Sequence, residues 1–273
     1  MTKPLRLIQI GAGSMGGALL RSWIDSGILD LAASAVVDPR PSQEIEAMIA
    51  SAGMRLNPSE DAGYDVCVLA VKPQQFPNVL PGLVWPEVEK TLFVSIAAGI
   101  TADEIVKLLK TNNPSPRVLR TMPTLPAKVR RGVTLLAAND ALSSEDREIG
   151  AQLMGAAGAV HWCHNEDELD RFMGVTGCGP AFLFRVVEAL EGAARAQGAN
   201  ADDARVLAAE TVVAAARLLE TDGRDASELR TAVTSPGGTT AAGLDVLNDR
   251  GIGAMFEDAV EAAYAKAKEL GQG

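Results

Sequence analysis

Near its start the chain carries Gly11-Ala12-Gly13-Ser14-Met15-Gly16, directly after the apolar run Leu7-Ile8-Gln9-Ile10 and directly before a helical pattern. Few architectures use three glycines at that spacing between a strand and a helix. Gly11 suits a tight turn, Gly13 lets backbone approach a pyrophosphate, and Gly16 permits close packing of helix on strand. The helix N-terminus then faces the anion with N–H groups that have no intrahelical partner. Such a turn requires a βαβ unit around it, and the downstream sequence supplies one.

Strands are expected over residues 5–10, 33–37, 65–71, 92–97, 117–121, 132–137 and 159–162. The run from Val66 to Val71 is continuously apolar rather than alternating, the pattern of a strand buried on both faces of a parallel sheet. Gly27 and Gly53 stand where helix C-terminal glycines belong, and Thr101-Ala102-Asp103-Glu104 has capping-box spacing. Strand and helix alternation of this kind implies an α/β fold with a doubly wound sheet. Beyond Asn165 the pattern turns helical, over 166–173, 180–197, 201–219, 225–233, 239–248 and 252–270. Alanine-rich stretches at 189–196 and 208–216 allow close helix approach. Two domains are therefore expected: 1–163, binding a dinucleotide, and 164–273, all-helical, with a large helix-to-helix contact between subunits.

Composition narrows the chemistry. With 35 acidic against 25 basic residues the formal charge is −10, which argues against nucleic acid as a partner, since that affinity rests on displacing counterions with Lys and Arg. Cys67, Cys163 and Cys178 are odd in number and lack C-x-x-C spacing, favouring a reducing compartment and a cytoplasmic location. His161-Trp162-Cys163-His164 contains ligand types suited to zinc, but strand alternation sends His161 and Cys163 one way and His164 the other, with no fourth ligand in view. No metal is expected. The N-terminal residues lead into an apolar strand rather than a secretory core, and no run reaches the roughly 18 apolar residues of a membrane span.

Four further segments bear on ligands. Val36-Val37-Asp38-Pro39-Arg40 offers two readings: Asp38 accepting from a free ribose 2′-hydroxyl, as with NAD, or Arg40 and Ser42 holding a 2′-phosphate, as with NADP. Ala70-Val71-Lys72-Pro73 and Ser95-Ile96-Ala97-Ala98-Gly99 leave strands at the carboxyl edge of the sheet, where such folds place ligands. Their small residues suit a flat ring lying on backbone. In the helical half, Ser235-Pro236-Gly237-Gly238-Thr239-Thr240 presents consecutive N–H groups at a helix start, an anion site fitted to a carboxylate.

Taken with Met122-Pro123 and Gly177-Cys178-Gly179-Pro180-Ala181, these segments resemble, in order and over essentially the whole chain, the pyrroline-5-carboxylate reductase family. The Ser-Pro-Gly-Gly-Thr-Thr element is the most specific of them. The resemblance implies an N-terminal Rossmann domain, a C-terminal helical dimerisation domain, and a homodimer in which the helical domain of one subunit completes the nucleotide site of another. Family members often assemble dimers into larger rings. It also implies NADPH as cofactor, with NADH the second option, and hydride transfer to 1-pyrroline-5-carboxylate to give L-proline.

On that reading Gly11, Gly13, Ser14, Met15, Gly16, Asp38, Arg40, Ala70, Val71, Lys72, Pro73, Ala97, Ala98 and Gly99 bind cofactor. Cys178, Ser235, Gly237, Gly238, Thr239 and Thr240 bind substrate, and Thr239 is catalytic through a hydrogen bond to the ring nitrogen. The chain departs from the family pattern at Thr124 and Leu125, where Asn-Thr is common, at Cys178 and Phe182, where Ser and Tyr are common, and at Ala232, usually an amide. Two alternatives follow: a reductase of another cyclic imine on the same scaffold, or a non-catalytic NAD(P)-binding regulator.

Overall fold

The computed structural model describes residues 3–59, 63–83, 88, 90–109 and 116–270. The first two residues and 271–273, assigned from sequence to the outer ends of the two domains, lie outside the described residues. The chain divides into two compact units, Met1–Gly177 with Ala263–Gly273, and Cys178–Ala262.

The first unit contains β1 (Leu7–Ile10), α1 (Ser14–Ser26), β2 (Ala35–Val37), α2 (Gln43–Ser51), β3 (Arg55–Leu56), β4 (Val66–Leu69), α3 (Phe76–Val79), β5 (Leu92–Ser95), α4 (Ala102–Leu108), β6 (Arg117–Met122), β7 (Gly132–Ala138), α5 (Ser144–Gly155), β8 (Gly158–Trp162) and α6 (Glu166–Thr176). One eight-stranded sheet has the order β3-β2-β1-β4-β5-β6-β7-β8. Neighbours are parallel except β6 with β7. This is the expected doubly wound α/β sheet. β3 escapes a sequence reading because it is two residues long and lies at the sheet edge.

The two larger of three apolar cores are fed by alternate residues of the same strands, and the smaller third gathers Met122, Leu135, Ala137, Cys163 and Leu169. Val66 and Val68 of β4 enter the core that holds Trp23, Leu19 and Leu153, while Cys67 and Leu69 enter the opposite one with Phe76 and Phe93. Trp23 is fully buried and its indole N–H donates to the Leu153 carbonyl at 2.8 Å. Helix ends are set locally. α1 closes on Gly27 at φ 70°, and Thr101 and Glu104 cap α4 reciprocally, each such cap contributing about 1 kcal/mol. Because strand order reverses between β1 and β4, a crevice opens beyond their carboxyl ends.

The second unit is helical: α7 (Gly179–Ala196), α8 (Ala201–Thr221), α9 (Ala226–Ala232), α10 (Thr239–Asp249) and most of α11 (Ile252–Leu270). Asn200 caps α8 and Asp225 caps α9 through their side chains. α7 and α8 pack on each other. Among the described residues of this unit only Ala204, Ala208 and Leu229 are buried apolar residues, whereas Phe184 is 58% and Leu207 57% exposed. The tail of α11 rejoins the first unit, where the Tyr264 hydroxyl donates to Asp167 at 2.7 Å.

By length and mean composition the helical stretch Glu166–Ala196 is long and apolar enough to cross a membrane, but its longest uncharged run, residues 172–184, is 13 residues, short of the roughly 18 a span needs, as the sequence reading expects.

Candidate active site

At the carboxyl end of β1 the three glycines have distinct surroundings. Gly11 has φ +91°, and a Cβ there would come within 2.8 Å of the Ala70 carbonyl oxygen at the end of β4. A Cβ at Gly16 would lie 2.8 Å from Gln9 Nε2 and 2.9 Å from the Gly11 carbonyl, so helix and strand touch there. At Gly13 a Cβ would meet no protein atom within 4 Å. The space in front of Gly13 therefore belongs to no part of the protein, and with the start of α1 behind it, it fits a pyrophosphate. Ser14 and Met15 form the first turn of α1. Behind the turn, buried Gln9 donates from Nε2 to the Gly11 carbonyl at 2.6 Å.

Asp38, just past β2, has both carboxylate oxygens engaged by backbone: Oδ2 accepts from Ala12 N–H at 2.8 Å and Oδ1 from Arg40 N–H at 2.9 Å. The carboxylate thus staples β2 to the glycine turn. Beside it lies a cleft of about 440 Å³ whose walls include Gly13, Ser14, Arg21, Arg40, Ser42 and Lys128. Arg21 pairs with Glu44 at 2.6 Å. Arg40, Ser42 and Lys128 give this cleft the donors a phosphate group needs.

The ends of β4 and β5 share the same edge. Val71 Cγ1 would contact a Cβ at Gly11, Lys72 is exposed, and Pro73 opens a single 3₁₀ turn secured by the Lys72 N–H on Gln75 Oε1 at 3.2 Å. After β5, Ala97 is buried, Ala98 is exposed, and Gly99 takes φ +74°. All fourteen expected cofactor residues gather along this edge through parallel pairing of β2, β1, β4 and β5. Thr124, standing where an amide is common, is buried with its hydroxyl accepting from Val133 N–H at 2.9 Å.

In the second unit Gly237 has φ +69°, and a Cβ on Gly238 would fall 2.3 Å from Ser235 Oγ. Ser235 folds back over the turn, also accepting from Gly238 N–H at its carbonyl, 3.0 Å away. Gly238 is the N-cap of α10 without a side chain to occupy the helix end, so the first-turn N–H groups of Thr239 and Thr240 are presented outward. Ser235, Gly237, Gly238, Thr239 and Thr240 thus form one anion-receptive turn. Cys178 immediately precedes α7, where Phe182 meets Phe256 edge-on with centroids 6.5 Å apart.

The histidine motif departs from its expected geometry. β8 ends at Trp162, so alternation stops: Cys163 turns into the interior while His161 stays exposed against the Phe172 ring, 5.8 Å between centroids. Burial, reinforced by the charges of Glu168 and Asp170, pushes the Cys163 thiol up to about 11. Among the described residues no three His, Cys, Asp or Glu side chains cluster as metal ligands would. The sequence marks Lys128 only as part of a short basic run with Arg130 and Arg131, and gives no sign of Gln9 or the buried Arg120 as part of the site. A second guanidinium in the middle of a strand whose burial runs nearly its whole length was the available signal for Arg120.

A glycine turn at the switch point of a parallel sheet, followed by a helical unit with its own anion-receptive turn, defines a dinucleotide-binding protein of the Rossmann type with an added helical region. Family models described as "Pyrroline-5-carboxylate reductase dimerisation" and "NADP oxidoreductase coenzyme F420-dependent" match residues 166–270 and 7–99 respectively. A pyrroline-5-carboxylate reductase of Methanosarcina acetivorans is 34% identical, over 96% of this chain and 97% of its own. One from Pseudomonas aeruginosa is also 34% identical, over 98% and 97%. The solved pyrroline-5-carboxylate reductase of Coxiella burnetii superposes with a TM-score of 0.89 at 32% identity, covering 98% of this chain and 99% of that one. The chain belongs to the pyrroline-5-carboxylate reductase family.

Proposed function

We propose that this chain reduces 1-pyrroline-5-carboxylate to L-proline with NADPH. The observation that carries the reading is the turn at Ser235–Thr240, which offers a carboxylate-binding helix end in a chain that also has a dinucleotide turn. A cofactor sensor has no need of the former. When bound, NADPH supplies the hydride. Gly11 to Gly16 hold the pyrophosphate, Arg40 and Ser42 take the 2′-phosphate, and Val71 to Pro73 with Ala97 to Gly99 flank the nicotinamide. Gly237, Gly238 and Thr239 bind the substrate carboxylate, and the Thr239 hydroxyl holds the ring nitrogen.

Cyclic imines are basic enough to be substantially protonated near neutrality, so the acceptor needs no strong enzymic acid. Catalysis is then mainly orientation of two bound reactants, which accords with a chain holding only two histidines. The functional division falls near 163/164, the helical part forming a homodimer that completes each nucleotide site from the partner subunit, and dimers joining into a larger ring. The protein works in the cytoplasm, without membrane or nucleic acid.

The test is NADPH and NADH oxidation by purified protein with pyrroline-5-carboxylate. Robust turnover, faster with NADPH, is expected. Turnover confined to other cyclic imines, or cofactor binding without turnover, would overturn the reading. Thr239→Ala should lower kcat/KM by about tenfold or more, the scale of a hydrogen bond to a charged group, and Thr239→Ser should restore most of it.

A further inference from the structure

Under the loop of residues 96–101 lies a charged cluster the glycine and threonine motifs do not involve. Arg120 of β6 is 2% exposed and pairs in register with Ser95 of β5. Its guanidinium donates to Glu166 Oε2 and to Asp170 Oδ1, both at 2.9 Å. The other oxygen of Glu166 accepts from the backbone N–H of Ala102 at 2.9 Å. Ala102 begins α4 and is the far end of the loop. The near end is pinned separately: the Thr121 hydroxyl donates to the Ser95 carbonyl at 3.0 Å, and Ser95 Oγ accepts from Ala97 N–H at 3.2 Å.

A buried guanidinium must keep its carboxylates in place, because the charge is costly to leave unpaired. Its planar fork fixes them in direction as well as distance. Glu166 is thereby held with one oxygen committed to Arg120 and the other aimed at Ala102.

We propose that Arg120 is a positioning residue: through Glu166 it clamps Ala102, and so sets loop 96–101 against the nicotinamide. The proposal rests on the assignment of that loop to the cofactor. Since Glu166 and Asp170 both belong to α6, where the dimerisation match begins at residue 166, the clamp also ties the cofactor loop to the start of the helical region. Asp170 is the internal control. It shares Arg120 but, among the described residues, makes no hydrogen bond to the loop.

Arg120→Met would strand two carboxylates and weaken the fold by itself, so the decisive comparison is Glu166→Ala against Asp170→Asn in the full-length protein. Three readouts apply: hydrogen exchange of the segment around Ala102 without cofactor, the NADPH dissociation constant from fluorescence quenching, and kcat. Glu166→Ala should speed exchange at Ala102, weaken NADPH and lower kcat by about tenfold or more, as misplacement of a reactant does. Asp170→Asn should lower the melting temperature while leaving loop exchange, NADPH affinity and kcat within about twofold. Arg120→Lys, which keeps the charge but loses the fork, should fall between. Equal effects of the two variants on all readouts, or melting shifts alone in both, would overturn the proposal. If the wild-type protein bound NADPH but failed to reduce pyrroline-5-carboxylate, the functional reading would fall, while exchange and NADPH affinity would still decide the role of Arg120.

Discussion

Asp38 accepts a hydrogen bond from the backbone N–H of Ala12 at 2.8 Å, linking the end of β2 to the middle of the glycine turn. A carboxylate on a backbone donor is worth about 1.5–3 kcal/mol, or roughly tenfold to a hundredfold in an equilibrium constant. Asp38→Ala should therefore weaken NADPH and NADH alike by about tenfold or more, with kcat at saturating cofactor little changed. An effect on NADH alone would show that the carboxylate reads the ribose instead of holding the turn. Arg40→Ala should act the other way, weakening NADPH and sparing NADH.

Gly13 and Gly16 separate a ligand requirement from a packing requirement. Because a Cβ at Gly13 meets no protein atom within 4 Å, Gly13→Ala should leave the melting temperature unchanged and impair cofactor binding. Gly16→Ala places its methyl 2.8 Å from Gln9 and 2.9 Å from the Gly11 carbonyl, and should destabilise the protein by about 1–3 kcal/mol, as overpacking does. Thermal melts with and without NADPH distinguish the two. A loss of stability in Gly13→Ala equal to that in Gly16→Ala would contradict the assignment.

The cysteines should react unequally. Burial pushes Cys67 well above the ordinary thiol range, and Cys163 up to about 11, so at pH 8 only about one Cys163 in a thousand is thiolate, the reactive form. Cys178 is half-buried at the start of α7. Iodoacetamide on the native protein should therefore label Cys178 first, and proline should slow that labelling if Cys178 lines the substrate site. Peptide mass spectrometry after brief exposure provides the check, and Cys163 labelled at the same rate would refute the ordering.

Asp65 gives the protein an acid-sensitive contact. Burial raises its carboxyl, but hydrogen bonds from the Arg6 side chain and backbone, together with the charges of Arg6 and Lys3, outweigh burial and leave it below the ordinary 3.8. Its stabilisation is then full above pH 3.8 and is lost as pH falls through the lower folded value. With the Arg6 and Asp65 side chains 37% and 32% exposed, solvent screening holds the contribution to about 1 kcal/mol or less. Asp65→Asn should lower the urea midpoint at pH 7, and the difference should shrink below about pH 3. A gap that persists at low pH would mean the charge is not its source.

Much of the first unit was legible because its signals are local. Continuous apolar runs identify β4 and β5, Gly27 and the Thr101–Glu104 box mark helix ends, and the spacing of Gly11, Gly13 and Gly16 needs no distant partner. The turn at Gly237 and Gly238 is equally self-contained. What escaped depends on chain separation or brevity. Arg120 meets Glu166 and Asp170 across 46 and 50 residues, a pairing no local pattern encodes. β3 has too few residues to show a period. The antiparallel join of β6 to β7 follows from a 3₁₀ segment at Leu125–Val129, where the sequence shows only prolines and a basic run. Strand alternation carried past Trp162 puts Cys163 on the face of His161, but β8 ends at Trp162 and the two side chains part.

The exposed apolar faces of α7 and α8 bear on how stability should be reported. The helical region matches a dimerisation model over residues 166–270, and any association that covers exposed Phe184 and Leu207 stabilises the folded form by mass action. The melting temperature of this protein is then a property of the solution as much as of the sequence. It climbs as the sample is concentrated and falls on dilution, so any value measured for a variant has meaning only beside the subunit concentration at which it was taken.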